Sequence, residues 1–290
     1  MNSLLRRQLI GIYGTFVNPL PYKKYYLEKK LKKGSESKTI IFYPQKPVSF
    51  YTIYKICHIL GYKITGNHKA KADLVIRFED TTRGSLDDNI RALANKYKVL
   101  NLNCTDISKA HVDKIFKRVF GYSLNIDPQT QNRYVRKSNN NTAHDGKIFA
   151  APSKPKKGFV YQTLINNQYG NLVKDIRVPI IKGTIPFVYY NYKSVSDRFD
   201  HPGGTEIAQT NSEFCDTEIG KIMEFAIQMG LDIGELDILR DRDSGKIFIV
   251  DVNNTPYGPP KPLKRDERKK ALMMLSSTFG DSFFAKTAQR

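Results

Sequence analysis

Apolar and polar positions follow two different rhythms along this chain, and the rhythm changes near residue 128. Between 38 and 121, β-rich runs take turns with stretches of helical spacing. TIIFYP (39–44), DLVIRF (73–78) and KVLN (98–101) read as strands, whereas 50–60 and 108–120 gather apolar residues on one helical face. Gly61 and Gly121 follow those two helices, as residues suited to a left-handed cap. Such alternation predicts a small α/β unit with a mostly parallel sheet. No G-x-G-x-x-G follows the first strand, which argues against a dinucleotide site there. After Pro128, short β-rich runs recur at 133–135, 158–165, 175–181 and 185–192, separated by polar loops, and predict a mainly antiparallel region. One helix interrupts them over 217–229, with Ile219, Ile222, Met223 and Ala226 on one face and Gly230 as its stop. A Pro-rich stretch, TPYGPPKPLKRDERKK (255–270), then enters a basic helix start.

The most informative segment is GELDILRDRDSGKIFIVDVNN (234–254). Two β-rich runs flank Asp241-Arg242-Asp243-Ser244-Gly245, a turn-forming sequence, and predict an antiparallel hairpin. With Arg240 opposite Lys246, Asp237 lies opposite Ile249 and diagonal to Asp251. Side chains alternate along a strand, so Glu235, Asp237, Asp251 and Asn253 share one face, and Leu236, Ile238, Phe248, Val250 and Val252 share the other. Three carboxylates and an amide together repel unless a cation sits among them, and hard oxygen donors of this kind suit Mg²⁺ or Mn²⁺. The competing reading is an acidic face neutralised by surplus Lys and Arg. The strongly apolar opposite face demands burial, and Asn253 continues into Asn254-Thr255-Pro256, a rigid loop able to frame a site.

Charge sharpens the search for a partner. The 290 residues carry 47 Lys and Arg against 28 Asp and Glu, a net +19, which calls for an acidic partner. Hydrophobic residues at 40% and aromatics at 11% exclude a disordered polycation. Residues 22–33, YKKYYLEKKLKK, set six bases against one acid. They form a basic amphipathic arm, read either as a solvated helix face or as a surface for anionic lipid, polymer or nucleic acid. Cys57, Cys104 and Cys215 are odd in number and far apart, so neither a disulfide framework nor a zinc site is expected. The apolar stretch 9–20 falls short of the ~20 residues a membrane span needs, and no cleavage site for a signal peptide is evident, so the expected location is cytoplasmic, with peripheral contact to an anionic membrane allowed by the arm.

The ordered motifs resemble the ATP-grasp superfamily, in the part that includes ribosomal-protein glutamate ligases, glutathione synthetase and D-alanine ligase. ELDIL…IVDVNNTP resembles the family's magnesium-binding hairpin, which implies Asp237, Asp251 and Asn253 as metal ligands. VYQTLI (160–165) is similar to the hinge strand that holds adenine, implying Gln162, Leu164 and Ile165 at the base. KDIRVPII (174–181) is similar to the strand bearing an Arg directed at the phosphates, here Arg177. YVRKSNNNTAHDGK (134–147) resembles the strand and closing loop that carry a phosphate-binding Lys, here Lys137. Its Asn139, Asn140, Asn141 and Thr142 stand where glycines are usual, and Asn tolerates left-handed backbone well. His144 falls in that loop. VDKIFKRVFG (112–121) resembles the helix that supplies an earlier ATP-contacting Lys, with Lys114 or Lys117 as candidates. Arg198, in SVSDRFDH (194–201), follows the central strands and is suited to grip a carboxylate.

The resemblance covers roughly residues 38–258 and implies a fold class of α/β (α+β): a basic arm over 1–37, a small pre-ATP-grasp domain over 38–125, and an ATP-grasp domain of two lobes over 126–290 with ATP between them. It implies a ligase using ATP and Mg²⁺ or Mn²⁺, in which a carboxylate takes the γ-phosphoryl and an amine then displaces phosphate. Positioning and charge neutralisation suffice for that chemistry, without a side-chain nucleophile. The acceptor is undetermined, and the surplus charge suits an acidic peptide or a cell-surface polymer precursor. Two other readings compete: a kinase on the same scaffold, and a basic protein that binds nucleic acid or anionic lipid on a degenerate scaffold. No RNP, KH or zinc-finger signature supports nucleic acid.

Overall fold

A computed structural model describes residues 37–130, 133–141 and 145–284. The basic arm at 22–33 and His144 lie outside the described residues. By compactness the chain divides into two units. Among the described residues the first comprises 37–80, 86–102 and 255–284, and the second 81–85 and 103–254.

The first unit is built on a parallel sheet of four strands in the order β2-β1-β3-β4. These are β1 (Thr39–Pro44), β2 (Lys63–Thr65), β3 (Leu74–Phe78) and β4 (Val99–Leu100). The β-branched and aromatic run of β1 is covered on both faces, with Ile40, Ile41 and Phe42 fully buried. Helix α1 (Thr52–Leu60) stops at Gly61, whose φ of 72° is one that glycine adopts without strain. Helix α2 (Asp88–Lys96) begins where the Asp87 side chain accepts a hydrogen bond from the Ile90 N–H at 2.9 Å. Ile90 and Leu93 seal this helix onto Ile41 and Val75. A long helix (Arg265–Phe284), later in the chain, packs on α1.

The second unit contains two antiparallel sheets. The larger has the order β11-β10-β9-β12-β13, with β8 also pairing β9. Its strands are β8 (Gln168–Tyr169), β9 (Leu172–Ile181), β10 (Val188–Ser194), β11 (Gly204–Ala208), β12 (Ile233–Arg240) and β13 (Ile247–Asn253). The smaller sheet, β6-β5-β7, uses β5 (Tyr134–Ser138), β6 (Lys147–Phe149) and β7 (Phe159–Gln162). Three helices belong here: α3 (Lys109–Phe120), the short α4 (Thr210–Glu213) and α5 (Asp216–Gln228); the long 265–284 helix is therefore α6. Period-two alternation gives the large sheet one oily face. Ile176, Val178, Ile180, Val188, Leu236, Ile238 and Val252 form that face and pack in one core with Phe116, Ile222 and Phe225 of α3 and α5.

The expected boundary near 125 therefore runs differently. Helix α3 buries its apolar stripe with the large sheet rather than the parallel one, and residues 255–284 rejoin the first unit. Edge strand β11 begins at Gly204. The hairpin strands also differ in place: β12 is interior, whereas β13 ends the sheet.

Candidate functional site

The other face of the large sheet is polar, and its residues are set by register. Tyr189 pairs with Arg177, Arg177 with Asp237, and Asp237 with Asp251, forming one row across four strands. One row away Pro179, Glu235 and Asn253 lie side by side, and on the opposite flank Asp175 pairs with Asn191. The hairpin departs from the expected register here. Arg240 faces Ile247 and Ile238 faces Ile249, yet Asp237 faces Asp251, because a β-bulge shifts the pairing between Asp237 and Ile238. Asp237 and Asp251 thus stand directly opposite, not diagonally, which brings two like charges as close as cross-strand neighbours come.

Arg177 answers part of that repulsion. Its Nε donates to Asp237 Oδ1 at 2.8 Å and a terminal nitrogen to Oδ2 at 3.1 Å, while Glu235 Oε2 lies 3.7 Å from Nε. Burial pushes Asp237 up, but Arg177 more than reverses this and holds the carboxyl below its usual range; Asp237 in turn raises the Arg177 guanidinium. Burial pushes Glu235 up to about 7 against the pull of Arg177. Asp251 is raised by burial despite Lys109 and Lys137. Glu235 is 3% exposed, and its Oε2 has no hydrogen-bond partner among the described residues.

Lys137 and Gln162 share one face of the small sheet, through the pairs Lys137 with Val160 and Val135 with Gln162. Lys137 is pushed down to about 8 by burial and by Lys109, against the attraction of Asp251 and Asp175. Its ammonium sits 5.9 Å from the Phe199 ring, and that ring closes over Gly146, where an added Cβ would lie 2.7 Å from it. Lys137, Arg177, Asp237 and Asp251 are therefore brought into one electrostatic neighbourhood.

Other expected residues lie elsewhere. Lys114 and Lys117 are exposed on α3. The base that α3 does bring to Asp251 and Lys137 is Lys109, 8% exposed, whose Nζ donates to the Asn140 carbonyl at 2.9 Å. A lysine in the first turn opposes the helix dipole, and that was the signal available in the sequence. Ile165 turns its side chain into the large core, so it presents backbone only, while Gln162 is 3% exposed and Leu164 is half-buried. Arg198 braces the segment after β7: its NH2 group donates to the Ile165 carbonyl at 2.9 Å and to Asn167 Oδ1 at 2.5 Å. Asn167 donates to Asp175 at 2.8 Å, and Lys193 donates to the same carboxylate at 2.5 Å and to the Arg198 carbonyl at 3.3 Å. Asn167, Asp175 and Lys193 were not singled out from sequence. The Asn139 side chain accepts from the Ala110 N–H at 2.9 Å, so this part of the glycine-poor loop is pinned to the start of α3.

Asp237, Asp251 and Asn253 offer oxygen donors, the ligand type that a hard divalent cation takes. Among the described residues no group of three or more His, Cys, Asp or Glu could hold a metal by itself. Two carboxylates and an amide, Asp237, Asp251 and Asn253, are what a cation shared with phosphate oxygens requires, since Mg²⁺ is commonly held by one or two carboxylates plus substrate phosphates. Burial raises Asp251, and one Glu235 oxygen is without a hydrogen bond among the described residues. Strand spacing is tight beneath it. A Cβ on Gly234 would lie 2.6 Å from the Asn253 carbonyl oxygen, so Gly234→Ala is expected to lower stability by about 1–3 kcal/mol by prying β12 from β13. A urea midpoint unchanged by that substitution would contradict this close approach.

No protein-family model matches the sequence, and no curated protein matches it. Solved structures do. A D-alanine–D-alanine ligase from Bacillus anthracis aligns with a TM-score of 0.51 at 12% identity, over 86% of this chain and 96% of that one. Macrocyclase MdnB from Microcystis aeruginosa MRC aligns with a TM-score of 0.50 at 14% identity, over 87% and 100%. ATP-grasp ligase PsnB, complexed with a phosphomimetic variant of its minimal precursor, Mg and ADP, gives 0.49 at 12% identity, over 84% and 98%. With a small and a large antiparallel sheet in one unit and a parallel sheet in the other, the chain has the ATP-grasp fold.

Proposed function

We propose that this protein is an ATP- and Mg²⁺-dependent carboxylate–amine ligase that forms an amide or peptide bond. The observation that carries the reading is the row Arg177–Asp237–Asp251 with Lys137 and Lys109 beside it, a convergence of bases and oxygen donors on one polar face. Asp237, Asp251 and Asn253 would hold the cation, whose chemistry is to neutralise charge on the phosphate oxygens. Lys137, Lys109 and Arg177 would hold the triphosphate, and Gln162, Leu164 and Ile165 the base. A substrate carboxylate oxygen attacks the γ-phosphorus and ADP leaves; the amine nitrogen then attacks the acyl carbon and orthophosphate leaves. The side chains position and neutralise, and none forms a covalent intermediate.

The excess of bases over 22–33 and 261–270 supports an anionic acceptor, such as an acidic peptide or a cell-surface polymer precursor. Among the described residues no helix is long and apolar enough to cross a membrane. The test is Mg²⁺-dependent ATP consumption against pools of amino acids, dipeptides and sugar acids, with product masses as readout. Orthophosphate released only when a carboxylate and an amine are both present is the expected result. A phosphorylated product without orthophosphate would make the protein a kinase. Indifference to ATP, with binding to polyanions that collapses as salt rises, would make it a binding protein.

A further inference from the structure

We propose that Glu235 is a positioning residue: the second seat for the Arg177 guanidinium, taken when Asp237 turns to a divalent cation. The inference rests on the reading of Asp237 as a cation ligand. Arg177 now engages both oxygens of Asp237, at 2.8 and 3.1 Å. A guanidinium and a divalent cation on one carboxylate repel each other, so Arg177, turned toward the triphosphate when the cation arrives, needs a protein carboxylate other than Asp237 to hold its position. Glu235 is placed for this. It sits two residues along β12 on the same face, with Oε2 3.7 Å from Arg177 Nε. A side-chain movement of about 1 Å would close that gap to hydrogen-bonding distance.

The burial of Glu235 supports the idea. The residue is 3% exposed, and its Oε2 finds no hydrogen bond among the described residues, an arrangement that costs stability and calls for an explanation. On the far side of Arg177 in the same row, the Tyr189 hydroxyl is also buried without a hydrogen-bond partner among the described residues. The guanidinium thus already has Glu235 as a distant ion-pair partner at 3.7 Å, short of a hydrogen bond. A plain structural role as counter-charge predicts something different, because Glu235 would then matter to the fold before any cation binds.

The experiment compares the parent, Glu235→Gln and Glu235→Asp by Mn²⁺ binding at saturating ADP, read by the EPR signal of free Mn²⁺. ADP affinity without metal and the metal-free thermal midpoint are measured alongside. Glu235→Gln should weaken Mn²⁺ about 10- to 100-fold, the usual effect of losing a group that orients a metal ligand. Metal-free ADP affinity should hold, the metal-free thermal midpoint should hold or rise because a buried charge is removed, and Glu235→Asp should recover part of the Mn²⁺ loss. Unchanged Mn²⁺ affinity in Glu235→Gln would overturn the inference alone. So would a metal-free midpoint and ADP affinity that fall together with Mn²⁺ binding, since both belong to a structural role. Failure of the parent to bind Mn²⁺ and ADP would overturn the ligase reading and the inference with it.

Discussion

Asp251→Asn is expected to cut Mg²⁺-dependent ATP turnover by about a thousandfold or more, the scale on which charge-stabilising groups act in phosphoryl transfer. The substitution keeps the shape of the side chain and removes its charge. The Val252 N–H donates to Asp251 Oδ1 at 3.1 Å, and an amide oxygen can accept that bond. Burial already raises the proton affinity of Asp251, so losing the charge relieves desolvation and leaves the core untouched. Loss of activity should therefore come with an unchanged or raised thermal midpoint. Steady-state phosphate release and a melt on the same sample decide the matter. Turnover within tenfold of the parent would remove the hairpin from the chemistry.

Phe116→Ala should produce the largest change in stability, a loss of about 3–5 kcal/mol in the second unit. Phe116 is fully buried on α3, stacked on Phe120 at 4.5 Å and edge-on to Tyr122 at 5.2 Å, with Phe248 of β13 at 6.0 Å. Truncation leaves a void where helix meets sheet, and the rigid neighbouring rings cannot collapse into it. The same helix begins with Lys109, so the loss should also loosen the base beside Asp251. Urea unfolding followed by far-UV circular dichroism measures the effect. A loss below 1 kcal/mol would mean that this aromatic cluster does not anchor α3.

Local signals carried far into the fold. The alternation of strand and helix, the glycine stops at 61, 121 and 230, and the hairpin with its acidic face were all readable from neighbours in sequence. Helix α2 was not, because Ile90 and Leu93 are its only buried residues and the rest of it is charged residues, Asn and Ala. The edge strands β6, β8 and β11 are two to five residues long, too short for a period to register. At the site, Asp237, Asp251, Arg177 and Lys137 were legible because motif order marked them. Lys109, Lys193, Asn167 and Glu235's closeness to Arg177 depend on pairings across tens of residues. Arg198 shows the limit most clearly: its residue type suited a carboxylate grip, but Ile165 and Asn167 lie within its reach.

The bulge in the hairpin gives β13 two reading frames. From Arg240 to Ile238 the strands count one way, and continued without interruption that count would set Asp251 against Leu236 and turn its carboxylate toward the oily core. The extra residue, Val250, resets the frame, so that Asp251 and Asn253 emerge on the side of Asp237 and Glu235. Spacing between Ile249 and Asp251 is thus as much a part of the site as the carboxylates. A change of any one side chain alters a contact, whereas a one-residue deletion there would exchange the chemistry of β13 for its core.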